Sequence, residues 1–366
     1  MQGSVNPFEI KSSLKRYPFS KKDLLQAWDS ADELLLEHLS SLDLRDKSIL
    51  ILEDQFGALS CALECLNPVT YSDSYVSCRA TALNSEGRIL ATSDLSKLTG
   101  LFDLVLMRIP RNMSYFEDLL CRLSHLLQPS SQVICTYMIK HQANLSFQLL
   151  EKLIGPTRTS LAKKKARLIF AQFQRSPTPS PFPLHISFPN FSIPFVNHSN
   201  LFSREGLDVG TRFLLEHIPS GNYKTILDLG CANGIIGIKA KQLNSATKII
   251  CTDDSSMAIQ SAHTNYRNYF PDEGQFVWTN CYEDQEPESI DLVICNPPFH
   301  QGNTLSDRVA LQMFANSKKV LVRGGTLRVI GNRHLQYPGI LKRIFGNSQI
   351  VATNSKFVIV DACKSV

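Results

Sequence analysis

Asn296-Pro297-Pro298-Phe299 closes the apolar run Leu292-Val293-Ile294-Cys295, and its residue types suit the capture of a planar amino group. Proline has a fixed φ and no N–H, so the corner is stiff and offers carbonyls rather than donors. The side-chain oxygen of Asn296 and the carbonyl of Pro297 can accept both hydrogens of an –NH2 group. The ring of Phe299 can stack on the flat base or amide that carries it. The lone pair of such an amine is delocalised into its π-system. Two acceptors that draw its hydrogens out of plane help to free that pair. The chemistry is alkylation of an amino group, given an alkyl donor nearby. Taken alone, Pro-Pro usually just ends a strand.

A donor site can be read upstream. Thr225 to Gly237 (TILDLGCANGIIG) reads as a buried strand, a glycine turn and a helix start. Glycines let a backbone approach a ligand closely. Asp228 sits just before the turn, where it would repel a pyrophosphate but tolerate the cationic amino acid end of S-adenosylmethionine. The next apolar strand, Lys248 to Thr252, ends in Asp253-Asp254. Its carboxylates lie near the spacing of roughly 20 residues at which Rossmann-type units place a ribose-binding acid. Asp253 is favoured for the ribose hydroxyls, with Asp254 the alternative. A third strand, Gln275 to Thr279, ends at Asn280-Cys281, where an amide could read the adenine edge. Singly, each feature has an ordinary structural reading as a turn or a helix cap. Their order gives them force, since each falls at the carboxyl end of a successive strand, the edge along which open α/β sheets bind ligands.

These residues need a framework. The chain has 366 residues, more than one ordinary domain, and 43% of them are hydrophobic, enough for two sizeable cores. In the C-terminal half, strands are expected near 225–229, 248–252, 275–279, 290–295 and 325–330. Helices are expected near 234–243, 256–268, 306–321 and 337–345. That alternation implies a mostly parallel sheet covered on both faces. Residues 349–352 and 357–360 read as an antiparallel hairpin at one edge. The N-terminal half repeats the rhythm, with strands at 48–54, 69–73, 102–107 and 133–137, and looks like a faded copy of the same fold. Gly57 stands where a glycine turn is needed. Arg108-Ile109-Pro110-Arg111 stands where Asn-Pro-Pro-Phe would be and cannot clamp an amine, so this half is assigned no chemistry. The expected division is a degenerate domain over 1–175, a Pro-rich connector over 176–194 and a catalytic domain over 195–366.

Other functions are bounded by composition. No apolar run of 18 residues exists, so no transmembrane helix is expected, and the polar start lacks a signal peptide. Ten cysteines occur without a Cys-x-x-Cys pair, which argues against zinc and for reduced thiols in a cytoplasmic protein. The net charge of +5 permits a nucleic-acid partner. Lys163-Lys164-Lys165 with Arg167, joined by Arg158, forms a basic segment suited to phosphates. Arg108 and Arg111 could add to it. A short lysine run is as readily a solvated loop.

Taken together, the chain resembles the class I S-adenosylmethionine-dependent methyltransferases that act on guanine N2 of ribosomal RNA, a group in which a degenerate methyltransferase-like domain precedes an active one. The matching stretches are Asn200 to Gly210 (NLFSREGLDVG), Asp228 to Cys231, Cys295 to His300 and Asn332 to Leu335. Further stretches at Gln26 to Asp32, Phe56 to Ser60 and Ala162 to Leu168 are similar to the large-subunit (23S) branch, which makes a 23S guanine the expected target and a 16S guanine the alternative. The resemblance implies that Asn296, Pro297, Pro298 and Phe299 bind the guanine. It implies that Asp228, Gly230, Cys231, Gly234, Asp253, Asn280 and Cys281 hold the cofactor. Phe202, Ser203 and Asp208 would lie on the approach to that pocket. Arg333 and His334 would contact RNA, His300 would be a wall residue or a proton relay, and a monomer without metal is expected. Ala232 stands where the family usually has glycine. If φ there is positive, alanine adds strain of about a kcal/mol. Enzymes that methylate glutamine amides or DNA amines share the tetrapeptide, and a non-catalytic RNA-binding assembly factor is the reading from outside enzymology.

Overall fold

The computed structural model describes residues 8–19, 24–141, 144–271, 274–298 and 304–365. Two compact units make up the chain, Met1–Phe182 and Pro183–Val366.

In the first unit, α1 (Ser30–Leu39) leads into β1 (Ile49–Leu52), α2 (Ala58–Ala62), β2 (Val69–Tyr71) and α3 (Tyr75–Asn84). Then come β3 (Phe102–Arg108), α4 (Met113–Ser124), β4 (Leu127–Met138), α5 (Asn144–Leu153), β5 (Thr157–Thr159) and β6 (Ala166–Gln172). The strands form one sheet in the order β2-β1-β3-β4-β6-β5, parallel as far as β4 and antiparallel beyond it.

The second unit opens with a small hairpin of β7 (Leu184–Ile186) and β8 (Phe195–Asn197), followed by α6 (Val209–Leu215). After it come β9 (Thr225–Leu229), α7 (Ile235–Leu243), β10 (Lys248–Asp253), α8 (Ser256–Tyr269) and β11 (Gln275–Trp278). The remainder is β12 (Ile290–Cys295), α9 (Thr304–Val320), β13 (Leu321–Asn332), α10 (Tyr337–Phe345), β14 (Gln349–Thr353) and β15 (Phe357–Cys363). The seven-stranded sheet runs β11-β10-β9-β12-β13-β15-β14, with only the β13-β15-β14 pairings antiparallel. Strand β12 shows how both faces are covered. Val293 and Cys295 pack with Phe314 and Leu341 on one side, while Leu292 and Ile294 pack with Leu214, Ile238 and Ala262 on the other. A strand buried on both faces must be apolar throughout, which is why Leu292 to Cys295 carries no polar residue.

The two sheets share more than an order of strands. Along β3 and β4, partners step from Phe102–Leu127 to Leu104–Gln132. Along β12 and β13 they step from Ile290–Leu321 to Leu292–Thr326. The same irregularity, three extra residues on the second strand, recurs in both units. It also corrects the expected strand starts. β4 begins at Leu127 rather than 133, and β13 at Leu321 rather than 325, because a bulge absorbs the polar Gln-Pro-Ser-Ser and Arg-Gly-Gly stretches that read as loop.

Within 176–194, the Thr178 N–H donates to Ser124 Oγ (2.9 Å) and the Ser180 hydroxyl to Asp118 Oδ1 (2.6 Å). Leu184–Ile186 of the same stretch is strand β7. Among the described residues no helix is long and apolar enough to cross a membrane.

Candidate active site

The carboxyl ends of β9, β10 and β12 open onto a cavity of about 330 Å³. Its floor is the turn after β9. Gly230 and Cys231 both donate their N–H groups to the Thr252 carbonyl (2.9 Å each), which ties the turn to the neighbouring strand. Gly230 (φ +77) and Gly234 (φ +81) take left-handed conformations, and so does Ala232 (φ +48). A Cβ on Gly234 would come within 3.0 Å of Ala262, so glycine serves there both the left-handed turn and the packing against α8. The Ala232 N–H donates to Asp253 Oδ2 (3.0 Å), and the Ser255 N–H to the other oxygen, Oδ1 (3.0 Å).

Most residues expected at the site come together. Gly230, Cys231, Asp253, Asn280 and Cys281 line the cavity, with Asp254 beside them. Phe202, Ser203 and Asp208 line its approach, and Asn296, Pro297 and Pro298 close it. Phe299 and His300 lie outside the described residues. Two residues are placed differently. Asp228 and Gly234 do not line the cavity. Asp228 lies behind the turn, 1% exposed, where its Oδ2 accepts the N–H of Gly237 (2.8 Å) and its Oδ1 has no partner among the described residues. Burial, with Asp253 nearby, lifts its carboxyl from an ordinary 3.8 to about 7. It braces the turn from below.

The cavity also has apolar walls, formed by Ile235, Ile236, Ala258, Val309 and Met313. None of these could be read from single-residue chemistry, although the Ile235-Ile236 pair directly after Gly234 was a signal. Burial pushes the thiol of Cys281 up to about 12, and it also holds the thiol of Cys231 well above its ordinary range. Both stay protonated wall groups rather than nucleophiles. The polar groups sit at the ends: carboxylates at Asp253 and Asp254, and the Asn296 amide at the other side. Asn296 Nδ2 donates to Thr211 Oγ1 (2.9 Å), whereas its Oδ1 is buried and has no partner among the described residues. A buried acceptor left without a donor, on a residue that lines a cavity, is one that a ligand N–H can satisfy. Thr211 belongs to α6 and was not singled out from the sequence. S-adenosylmethionine fits this donor set: paired carboxylates for hydroxyls, an apolar slot and a backbone cradle at a turn.

The corresponding place in the first unit is filled. Strand pairing puts Leu52 beside Met107 and Leu229 beside Cys295, so Glu53 matches Gly230 and Arg108 matches Asn296. Glu53 has φ +62 where Gly230 has +77, and Gly57 (+79) matches Gly234 (+81). The Glu53 carboxylate accepts from the Tyr115 hydroxyl (2.7 Å) and the Asp73 N–H (3.2 Å). Tyr71 and Tyr115, each 1% exposed, pack their hydroxyls 3.5 Å apart. Arg108 is held by Asp29 and Asp32. The places that match the Gly230 turn and Asn296 are thus taken in the first unit by two phenols with a carboxylate and by an ion pair.

That ion pair removes Arg108 from the basic surface expected around it. Arg158 lies over the Phe170 ring (4.7 Å). Lys163 pairs with Glu37 and Lys164 with Glu33 (2.8 Å), all four side chains well exposed. Lys163 and Ala166 exchange both backbone hydrogen bonds (3.0 and 2.8 Å) around Lys164 (φ +47) and Lys165 (φ +63). This is the two-residue turn that normally favours Asn-Gly. Arg167 on β6 is half-buried. Arg333 is exposed just after β13.

Residues 4–175 match the family model of the RLMG N-terminal domain, and residues 192–361 that of the Methyltransferase small domain. The chain is 40% identical over 366 residues to Ribosomal RNA large subunit methyltransferase G of Pseudoalteromonas translucida, with 96% of each chain covered. It is 42% identical over 378 residues to the protein of the same name from Aliivibrio fischeri, covering 100% of this chain and 99% of that one. Among solved structures, the T. thermophilus 16S rRNA N2 methyltransferase (RsmC) in complex with AdoMet and guanosine aligns with a TM-score of 0.76 at 16% identity, over 92% of both chains. That likeness is one of fold.

Proposed function

We propose, on the premise that the chain belongs to the ribosomal RNA large subunit methyltransferase G family, that it methylates the N2 amino group of one guanine in 23S ribosomal RNA. The cofactor is S-adenosylmethionine, which supplies a methyl group already activated on a sulfonium. The observation that carries the chemistry is the Oδ1 of Asn296, buried and without a partner among the described residues, on a residue that lines the same cavity as Asp253 and the Gly230 turn.

Asn296 Oδ1 and the Pro297 carbonyl accept the two N2 hydrogens, orient the amine and stabilise positive charge as it develops there. Phe299 follows in the sequence where a stacking ring is needed. The guanine leaves its stack to reach the cavity. Asp253, or Asp254 beside it, accepts the ribose hydroxyls, and Asn280-Cys281 face the adenine. Gly230 and Cys231 form the backbone cradle, with Phe202, Ser203 and Asp208 at the entrance. Fixing the reactants at roughly 3–3.5 Å supplies most of what is required. An alkylated ammonium is acidic, so its proton is lost without a strong base.

Lys163, Lys164, Lys165 and Arg167 form the docking surface for RNA phosphates on the first unit, and Arg333 on the second. The pairs that Lys163 and Lys164 make with Glu37 and Glu33 are exposed, and pairs of that kind contribute about 0–1 kcal/mol. Phosphates can replace the carboxylates at little cost. A 23S rather than a 16S target is supported by relatives 40–42% identical over the full length, whose names print the ribosomal RNA large subunit. The test uses rRNA from cells lacking this protein, labelled S-adenosylmethionine and digestion to nucleosides. Labelled N2-methylguanosine from 23S alone is expected. Label in 16S only, on another base, or nowhere overturns the reading.

A further inference from the structure

We infer that Thr211 is a positioning residue that decides which end of the Asn296 amide meets the substrate. The inference rests on the reading of Asn296 as the amine acceptor. An amide is nearly symmetric in shape, and a half-turn exchanges its acceptor for a donor. Turned the wrong way, Asn296 would point N–H groups at the hydrogens of the amine it must hold. Thr211 Oγ1 lies 2.9 Å from Asn296 Nδ2 and gives that nitrogen an acceptor, which leaves the oxygen for the substrate. Without it, a buried –NH2 would lack a partner, and turning it into the cavity would be the way to relieve it.

The threonine itself is fixed. It stands three residues after Asp208, the cap of α6, whose Oδ2 accepts the Thr211 N–H (3.0 Å). A Cβ on Gly210 would meet the Phe357 ring at 3.1 Å, so the start of α6 is pressed against the beginning of β15. Thr211 is 7% exposed. Its hydroxyl is therefore set by the backbone of a helix start in register with the sheet.

The first unit repeats the contact independently. Asp29 caps α1, Asp32 stands three residues on, and Asp32 Oδ1 accepts from Arg108 Nη1 (2.7 Å). Arg108 occupies the place of Asn296. The third residue after the helix cap thus faces the strand end in both halves. One half uses that contact to lock a closed site, the other to aim an amide.

The test compares Thr211→Val and Thr211→Ser, each in the wild-type chain and with Asn296→Asp. It reads kcat for transfer to 23S rRNA, the affinity for S-adenosylmethionine by calorimetry, and the unfolding midpoint. Valine should lower kcat about ten- to a hundredfold, the loss expected when the turned amide meets the substrate amine with a donor instead of an acceptor. Cofactor affinity and unfolding midpoint should stay close to wild type. Serine, which keeps the hydroxyl, should restore most of the rate. With Asn296→Asp, whose carboxylate accepts at either end, valine should cost little more, because the two positions act as one unit. A valine variant as fast as wild type, or a serine variant as slow as valine, overturns the inference while leaving the proposed function standing. Absence of transfer by the wild-type chain overturns both.

Discussion

Asp228 shows what a single buried charge does at a site it does not touch. Its carboxyl is lifted from 3.8 to about 7 chiefly by burial, with one oxygen on the Gly237 N–H and the other without a partner among the described residues. Between those values the folded chain binds more protons than the unfolded one, so stability falls as pH rises from about 4 to about 7. Asparagine keeps an acceptor for Gly237 and does not titrate. Asp228→Asn should therefore flatten the fall across that window, by a few kcal/mol at most, as read from urea unfolding midpoints. An unchanged pH profile would remove Asp228 as its source. Position was legible in the sequence here, but role was not. An acid before a glycine turn read as facing a ligand cation, whereas the pleat turns it to the far side of the turn, toward α7. That Asp253, Asn280 and Asn296 would come together at one cavity was legible, because each lies at the carboxyl end of a strand of the sheet. Thr211 was missed because its helix is only seven residues long and its hydroxyl acts through another side chain.

The elements that carry the site were read well from periodicity. α10 and β9 have their expected bounds, since each begins and ends at unambiguous signals. Such signals are a glycine past the helix end and polar residues flanking an apolar run. The starts of β4 and β13 were not readable, because a bulge lets polar residues remain inside a strand. The β5–β6 turn was read only as a basic segment, although its conformation carries consequences. Two lysines in left-handed conformations hold their ammonium groups outward on a rigid hairpin end, where Glu33 and Glu37 neutralise two of the three charges. Reversing Lys163, Lys164 and Lys165 to glutamate should raise the apparent KM for 23S rRNA. It should also reduce the salt dependence of binding by about one contact for each phosphate lost. An unchanged salt slope in fluorescence anisotropy would take the hairpin out of RNA docking.

At the level of the whole chain, two copies of one topology have diverged in what fills the carboxyl edge of the sheet. The second unit keeps bare glycine, an apolar slot and an unpaired acceptor. The first fills the same places with Glu53, with Tyr71 and Tyr115, and with the Arg108–Asp29–Asp32 cluster. The repeat was legible as rhythm, and the loss of the amine clamp as Arg-Ile-Pro-Arg. The plugging of the donor pocket was not, because it needs Tyr71 and Tyr115, 44 residues apart, to meet over Glu53. The most direct measurement is a crystal structure of the full chain with S-adenosylhomocysteine and guanosine. One of each should bind, both in the second unit, with guanine N2 at about 2.7–3.2 Å from Asn296 Oδ1 and within similar reach of the Pro297 carbonyl. Guanosine bound with N2 turned away from Asn296, or S-adenosylhomocysteine seated between Glu53 and Tyr115, would contradict it.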